Sequence, residues 1–239
     1  MTAIKRVLLP DVDAYHHPLW DGASAAIGRI AAGEITPDEY QAEIAELFDR
    51  ISPVAALAEW TSRCLAEQAD QILQRAMTPS NVMWFQLLYM QPNEAHPMHG
   101  HRDLISNQVL LHGRTYLREY DRVQRIDEST VLLKLRSDGW MKIGDRISTT
   151  EVDRNVHWFG PGDEPAVQLN FFITGYQRWT FDADPGRRGR TYYDATREAT
   201  EDGLIVGHEI PADEAHQRFQ FAPIHSLPIP RPRRVPAMA

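Results

Sequence analysis

The apolar pattern of this chain changes period once, at Thr78-Pro79-Ser80, and that change constrains its fold more than any other feature. Before it, apolar residues recur at spacings of three and four, the mark of a helix with one buried face. Thr36-Pro37-Asp38-Glu39 is a helix start. Thr36 can cap free backbone N–H groups, Pro37 suits the first helical position, and Glu39 completes a capping box. Tyr40, Ile44, Leu47 and Phe48 follow as one stripe. Ser52-Pro53 begins a second helix, whose stripe of Leu57, Trp60, Cys64, Leu65, Ile72 and Leu73 is predicted to run on to Thr78-Pro79-Ser80.

After that point the pattern reads as strand. Strands are predicted at 82–90, 107–120 (interrupted at His112-Gly113), 131–135 and 166–173, with a turn at Asp138-Gly139. Residues 151–158 are mixed, and Phe159-Gly160-Pro161-Gly162-Asp163 reads as a loop. Trp179 and Phe181 extend a strand, Asp184-Pro185-Gly186 is a turn, and 192–201 is a short helix or loop. Many short strands with Gly- and Pro-rich turns point to an antiparallel sandwich or barrel. The expected organisation is a helical segment over 1–80, a barrel over 81–222 and a Pro/Arg-rich tail over 223–239.

Composition narrows the classes. The apolar share is 43% and the charged share 24%, as in ordinary soluble chains. No stretch approaches the ~20 apolar residues of a membrane helix, so no membrane partner is expected. Met1 to Pro10 lacks a signal-peptide pattern. Cys64 is the only cysteine, which excludes an intrachain disulfide and makes a cytoplasmic location the default. The net charge of −8 argues against a nucleic-acid partner. Two basic clusters, Arg187, Arg188 and Arg190, and Arg231, Arg233 and Arg234, read as a solvated loop and a solvated tail.

The chemistry centres on Pro97-Met98-His99-Gly100-His101. On a strand, residues i and i+2 share a face, so His99 and His101 present two imidazoles side by side while Gly100 allows close packing. Paired imidazoles suit Fe, Co, Ni, Cu and Zn and suit Mg or Ca poorly. His157, flanked by Val156 and Trp158 in a later strand region, is the best third ligand. His96 competes, but Pro97 breaks the alternation and favours a supporting role for it. His112 lies at a turn, and His16, His17, His208, His216 and His225 show no pairing pattern.

These residues resemble the cupin superfamily and, within it, the three-histidine thiol (cysteine-type) dioxygenases. The likeness covers roughly residues 81–176. It rests on His99-Gly100-His101 closing at Gly113, on Gly144-Asp145-Arg146-Ile147 leading to His157, and on Glu164-Pro165-Ala166-Val167-Gln168-Leu169. Ser106 stands where most cupins carry a glutamate ligand. The resemblance implies a mainly β, cupin-type double-stranded β-helix (jelly-roll barrel) with an N-terminal helical segment. It also implies Fe(II) on His99, His101 and His157, with Zn, Mn, Ni or Cu as lesser choices. Asn170 and Phe172 replace the family's histidine and tyrosine, and with Ser106 facing Phe172 no thioether crosslink can form. The carboxylate-binding arginine of the family has candidates in Arg75, Arg102 and Arg154.

The expected activity is a non-haem Fe(II) dioxygenase acting on a small anionic or thiol-containing metabolite, with O₂ as co-substrate and a homodimer as a further expectation. Ser106, Gln168 and Asn170 are placed as polar groups at the site, and Phe172, Trp158 and Phe85 as water-excluding walls. Rival readings are a non-redox metal enzyme (isomerase, lyase or hydrolase), a non-catalytic ligand-binding cupin, and an interaction protein using the tail.

Overall fold

A computed structural model describes residues 5–8, 17–78, 81–102, 104–175 and 189–231. His16, Trp179, Phe181, the Asp184-Pro185-Gly186 turn, Arg187, Arg188, Arg233 and Arg234 lie outside the described residues.

The N-terminal helices are α1 (Pro18–Ala32), α2 (Pro37–Arg50), α3 (Pro53–Ala56) and α4 (Ala58–Glu67). α2 starts as its sequence dictates, with the reciprocal Thr36–Glu39 capping box in place and Tyr40, Ile44, Leu47 and Phe48 buried. α4 ends sooner than the apolar stripe suggests. Gln68 takes a left-handed conformation with φ 49° and caps the helix. Ile72 and Leu73 then lie on a strand, β2 (Ala69–Ala76), which also pairs in parallel with β1 (Lys5–Leu8).

The remaining strands are β3 (Val82–Met90), β4 (His96–His101), β5 (Leu104–His112), β6 (Thr115–Arg125), β7 (Thr130–Met141), β8 (Arg146–Thr149), β9 (Val156–Pro161), β10 (Ala166–Thr174), β11 (Arg190–Asp194) and β12 (Ile205–Ile210). Their pairing is nested: β3 with β10, β4 with β9, β5 with β8, β6 with β7, all antiparallel. Pairs β5–β10 and β6–β9 cross-link the nest. One long hairpin has been wound on itself, which is the jelly-roll, double-stranded β-helix expected from the sequence.

The winding yields one sheet ordered β1-β2-β3-β10-β5-β8 and a second holding β4, β9, β6 and β7. Helices cover the outer face of the first. Phe85, Leu87, Val109, Leu111, Leu169 and Phe171 share one cluster with Trp20, Ile27, Tyr40 and Phe48. Side chains alternate along a strand, so Ser106, Gln108, Gln168, Asn170 and Phe172 face the other way, into the barrel. At one end this inner face packs against the second sheet, where Leu88, Leu110 and Ala166 meet Leu117, Met141 and Phe159.

β12 pairs with β7, and β11 bridges β12 back to β4, so the second sheet closes on itself. Tyr120, Val131, Leu133, Val156, Trp158 and Tyr193 fill this ring. α5 (Ala212–Phe219) and a short 3-10 turn (Ile224–Ser226) pack beside it.

Several expectations are corrected. Asp138-Gly139 is strand, not turn: the β6–β7 hairpin runs past it, and Arg118 Nε donates to Asp138 Oδ1 at 2.8 Å. Phe159-Gly160-Pro161 belongs to β9 rather than a loop, and a Cβ at Gly160 would lie 2.8 Å from the Ala95 Cα, so the strand passes Ala95 with no room for a side chain there. Residues 190–194 are strand, not helix. The segment after Pro223 is not simply extended: Ile224 is buried, and Arg118 Nη2 donates to the Ile224 and Leu227 carbonyls.

Candidate metal centre

β4 and β9 lie side by side with His99 opposite His157, and His101 two residues along β4. Cross-strand pairing and the i, i+2 rule thus bring three imidazoles to one face. Their ligand atoms all lie within 4.8 Å of one another, and all three residues are buried. His101 Nε2 and His157 Nε2 face each other at 3.3 Å. His99 Nδ1 sits 2.7 Å from the Pro97 carbonyl, so it carries the proton and donates it there, leaving Nε2 as a lone pair.

Burial drives all three histidines below their ordinary range, and the charge of Arg190 pushes them the same way. His157 falls to about 3. The imidazoles are therefore neutral near pH 7, as ligands must be. Two imidazole nitrogens 3.3 Å apart either share one N–H as a hydrogen bond or, with both protons on the far nitrogens, turn two lone pairs toward a cation. Nitrogen ligands at about 2.0–2.1 Å from one ion can span this separation. The three-histidine group thus fits a divalent transition metal.

The backbone of His101 is clamped. Asn155, fully buried, accepts from His101 N at 3.0 Å and donates to His101 O at 3.0 Å and to Thr150 O at 2.7 Å. Arg122 Nη2 also donates to His101 O, at 2.9 Å. These groups occupy the space beside Gly100, where a Cβ would lie 2.8 Å from Asn155 Oδ1 and 2.9 Å from Arg122 Nη2. The glycine between the two ligands is therefore required by the clamp behind them.

Glu119 pairs with His157 across β6 and β9. Its carboxylate is buried, accepts from Ser137 Oγ at 2.7 Å and meets Arg154 Nη1 at 3.3 Å. Burial pushes its carboxyl up, against the opposing pull of Ser137 and Arg154. Tyr192 and His96 complete the surroundings. The Tyr192 ring lies 5.9 Å from that of His99, and His96 stacks on Phe159 at 4.8 Å.

The other sequence candidates divide. Ser106, Gln168 and Asn170 lie on the inner face of the opposite sheet. Gln168 Nε2 donates to Gln108 Oε1, and Gln108 Nε2 reaches Ser106 Oγ at 3.5 Å. Ser106 faces Phe172 across β5 and β10, and Phe172 stacks on Trp84. Arg154 stands half-exposed beside Glu119. Arg102 is not brought to the imidazoles. It donates to Thr191 Oγ1 at 2.7 Å and pairs with Glu209 at 3.0 Å, on the face that carries Tyr193. Arg75 is exposed on β2, an outer strand of the other sheet. Phe85 and Trp158 are not walls of the site. Phe85 packs under the helices and Trp158 inside the closed ring, each one residue out of phase with the inner face. Phe159 takes that place, 5.5 Å from His157.

Asn155, Arg122, Glu119 and Arg190 were missed from the sequence. Only Arg190 had a local signal, its place in a basic cluster.

No family model matches the chain, and no curated protein matches it. Parts of solved structures do. The cupin domain of Schizosaccharomyces pombe Cnp3 aligns at 14% identity over 44% of this chain and 64% of its own, with a TM-score of 0.30. L-ribose isomerase from Cellulomonas parahominis aligns at 15% over 47% and 58%, with a TM-score of 0.31. An 11S globulin from Wrightia tinctoria aligns at 14% over 47% and 22%, with a TM-score of 0.30. The chain spans less than two thirds of each. At these scores the likenesses carry no weight beside the strand pairing itself. Among the described residues, no helix is long and apolar enough to cross a membrane.

Proposed function

We propose that the chain is a metal-dependent enzyme, a non-haem Fe(II) dioxygenase acting on a small anionic or thiol-containing metabolite. One observation carries this reading: the ligand group is three buried, neutral imidazoles with no carboxylate among them. Neutral ligands leave the full positive charge of a divalent ion to attract an anionic substrate. When bound, iron would supply a redox centre able to take up both substrate and O₂.

The chain's own residues would shape the pocket. Asn170 Oδ1, Gln168 Oε1 and Glu119 Oε1 are buried with no hydrogen-bond partner among the described residues. Buried acceptors are normally satisfied, so these are fitted to meet donors on a ligand. Phe159 and Phe172 would exclude water. Ser106 and Gln108 would hold the Gln168 amide in place.

Glu119 favours a second reading. A buried carboxylate beside His157, with its pKa raised, suits proton transfer in a non-redox isomerase or lyase. Metal analysis combined with oxygen uptake separates the two. The dioxygenase reading expects near-stoichiometric iron, lost on changing His99, His101 or His157 to Ala, and O₂ consumption with a small thiol or related chelating substrate. Full activity with Zn and no oxygen uptake overturns it in favour of the second reading.

A further inference from the structure

The wall of the barrel opposite the histidines is built of neutral amides. Both walls can be followed from the apolar plug at one end, where Leu88, Leu110 and Ala166 meet Leu117 and Phe159. Residues two apart on a strand share a face. One such step along β6 and β9 leads from Leu117 and Phe159 to Glu119 and His157. The same step along β3, β5 and β10 leads from Leu88, Leu110 and Ala166 to Gln86, Gln108 and Gln168. A further step reaches Trp84, Ser106 and Asn170. Asn170 pairs with Gln86 on one side and Gln108 on the other, so a row of amides crosses the sheet. Beside it, Trp84 and Phe172 stack at 5.8 Å.

These groups are held in place by one another and by the strand behind them. Asp70 Oδ2 accepts from Gln86 Nε2 at 2.8 Å. Gln168 Nε2 donates to Gln108 Oε1, and Gln108 Nε2 reaches Ser106 Oγ at 3.5 Å, which leaves the Ser106 hydrogen to donate. The groups left over on this wall are acceptors. Gln168 Oε1 and Asn170 Oδ1 have no partner among the described residues, and Glu119 Oε1 is a third such atom on the histidine wall. Gln168 is 0% exposed, so bulk water does not reach it. An acceptor buried in this way is costly unless a donor is brought to it.

The chemistry of the wall selects among substrate groups. A carboxylate brings only acceptors and would meet acceptors. An ammonium brings donors, but no net negative charge waits for it: the amides are neutral, and Arg154 already compensates Glu119. A divalent ion on the histidines would repel it further. A hydroxyl brings a neutral donor and, unlike an amide N–H, also accepts from a group such as Ser106. We infer that Gln168, Asn170 and Ser106 form a hydroxyl-binding subsite and that the substrate is a small polyhydroxylated molecule, its hydroxyls on this wall and one anionic donor toward the three histidines. Trp84 and Phe172 give its carbon skeleton an apolar face. The inference rests on the metal-site reading above and adds the substrate class.

The test uses the full chain loaded with Co(II) and titrated with thiols of equal carbon count: 1-thioglycerol, which carries hydroxyls, 1-propanethiol, which carries none, and 3-mercaptopropionate, which carries a carboxylate. Binding is read from the thiolate-to-cobalt absorption. Comparing the preference for 1-thioglycerol over 1-propanethiol between native and variant chains cancels the intrinsic metal affinities of the two thiols. Asn170→Leu and the nearly isosteric Gln168→Met should each reduce that preference about five- to fiftyfold and leave 3-mercaptopropionate unchanged or tighter. Both residues stand on the wall opposite the ligands, so Co(II) uptake should be unaltered and reports that a variant is folded. Should one variant fail to fold, the other carries the test. A preference unchanged in the folded variants overturns the inference, since water alone then fills the acceptors. Equal loss for 1-thioglycerol and 3-mercaptopropionate also overturns it, since the wall then binds anions. A native chain that takes up no Co(II) sinks both the inference and the metal-site reading. One whose hydroxyl preference depends on Asn170 and Gln168 but which consumes no oxygen with iron sinks only the dioxygenase.

Discussion

At the scale of single residues, the three imidazoles tie stability to pH. Burial, reinforced by Arg190, holds His157 at about 3, and His99 and His101 well below their ordinary range. In the unfolded chain each titrates near ~6.5. Between those values the unfolded chain binds protons that the fold refuses, so metal-free stability falls as pH drops from about 6.5 toward 3. Near pH 5, His157 alone contributes roughly 2 kcal/mol of that loss. Thermal midpoints of the metal-free chain near neutral pH and near pH 5 check this, and His157→Asn should shrink the difference. Metal affinity should behave oppositely: the folded ligands are already neutral, so it stays flat well below pH 6. Gly100→Ala tests the clamp. Its methyl would lie 2.8 Å from Asn155 Oδ1, a group fixed by its bonds to His101 and Thr150, so we expect a loss of about 1–3 kcal/mol together with weaker metal binding. Denaturant unfolding and metal titration read the two effects separately. Two of the three ligands were legible because His99 and His101 sit two residues apart. His157 needed the family resemblance, since the β4–β9 register that pairs it with His99 cannot be read from either segment alone. Asn155 and Arg122 were invisible for the same reason.

At the scale of elements, local signals were reliable where they agreed with burial and misleading where they did not. α2 was legible from Thr36 to its apolar stripe because cap, proline and period all point one way. Thr36→Ala should accordingly cost about 1 kcal/mol in denaturant unfolding. The α4–β2 boundary was not legible. Ile72 and Leu73 continue the helical spacing, no Gly or Pro marks the break, and Gln68 itself takes the left-handed cap. β2 is buried continuously over its first five residues and so lacks the alternation that betrays a strand. Phe85 failed by one residue of phase, because β10 pairs it with Phe171 on the helix side. β11 was read as helix or loop although it is flanked on both edges, by β4 and by β12. Thr191→Pro would remove a ladder donor from its middle. We expect it to cost about 3 kcal/mol or more, by analogy with proline inside a helix, and to abolish metal uptake by releasing β4. Retained metal in a folded Thr191→Pro chain would show that β4 holds its histidines without β11.

At the scale of the whole molecule, each sheet depends on what covers it. The outer face of the first sheet shares one core with the helices: Phe85, Leu87, Val109, Leu111, Leu169 and Phe171 pack on Trp20, Ile27, Tyr40 and Phe48. The inner face carries Ser106, Gln108, Gln168 and Asn170, so it cannot supply an apolar core of its own at the site. The barrel therefore relies on the helical layer for the burial that offsets its conformational entropy. The metal centre, on the second sheet, depends in turn on the first sheet to keep water from the imidazoles. A chain lacking residues 1–80 exposes the six side chains named above as one apolar sheet face, a patch of the kind soluble monomers avoid. We expect that truncated chain to aggregate or to lose fixed tertiary packing, and to bind metal far more weakly than the full chain. Near-ultraviolet circular dichroism and a metal titration decide the point. Cooperative unfolding of the truncated chain with full-length metal affinity would mean that β3 to β12 are independent and the helices, with β1 and β2, an accessory. In the full chain, a metal present at a hundred times its dissociation constant should add about 2.7 kcal/mol to one shared unfolding transition. A transition that splits, with only one part shifted by metal, would locate the histidines in a unit that folds apart from the helices.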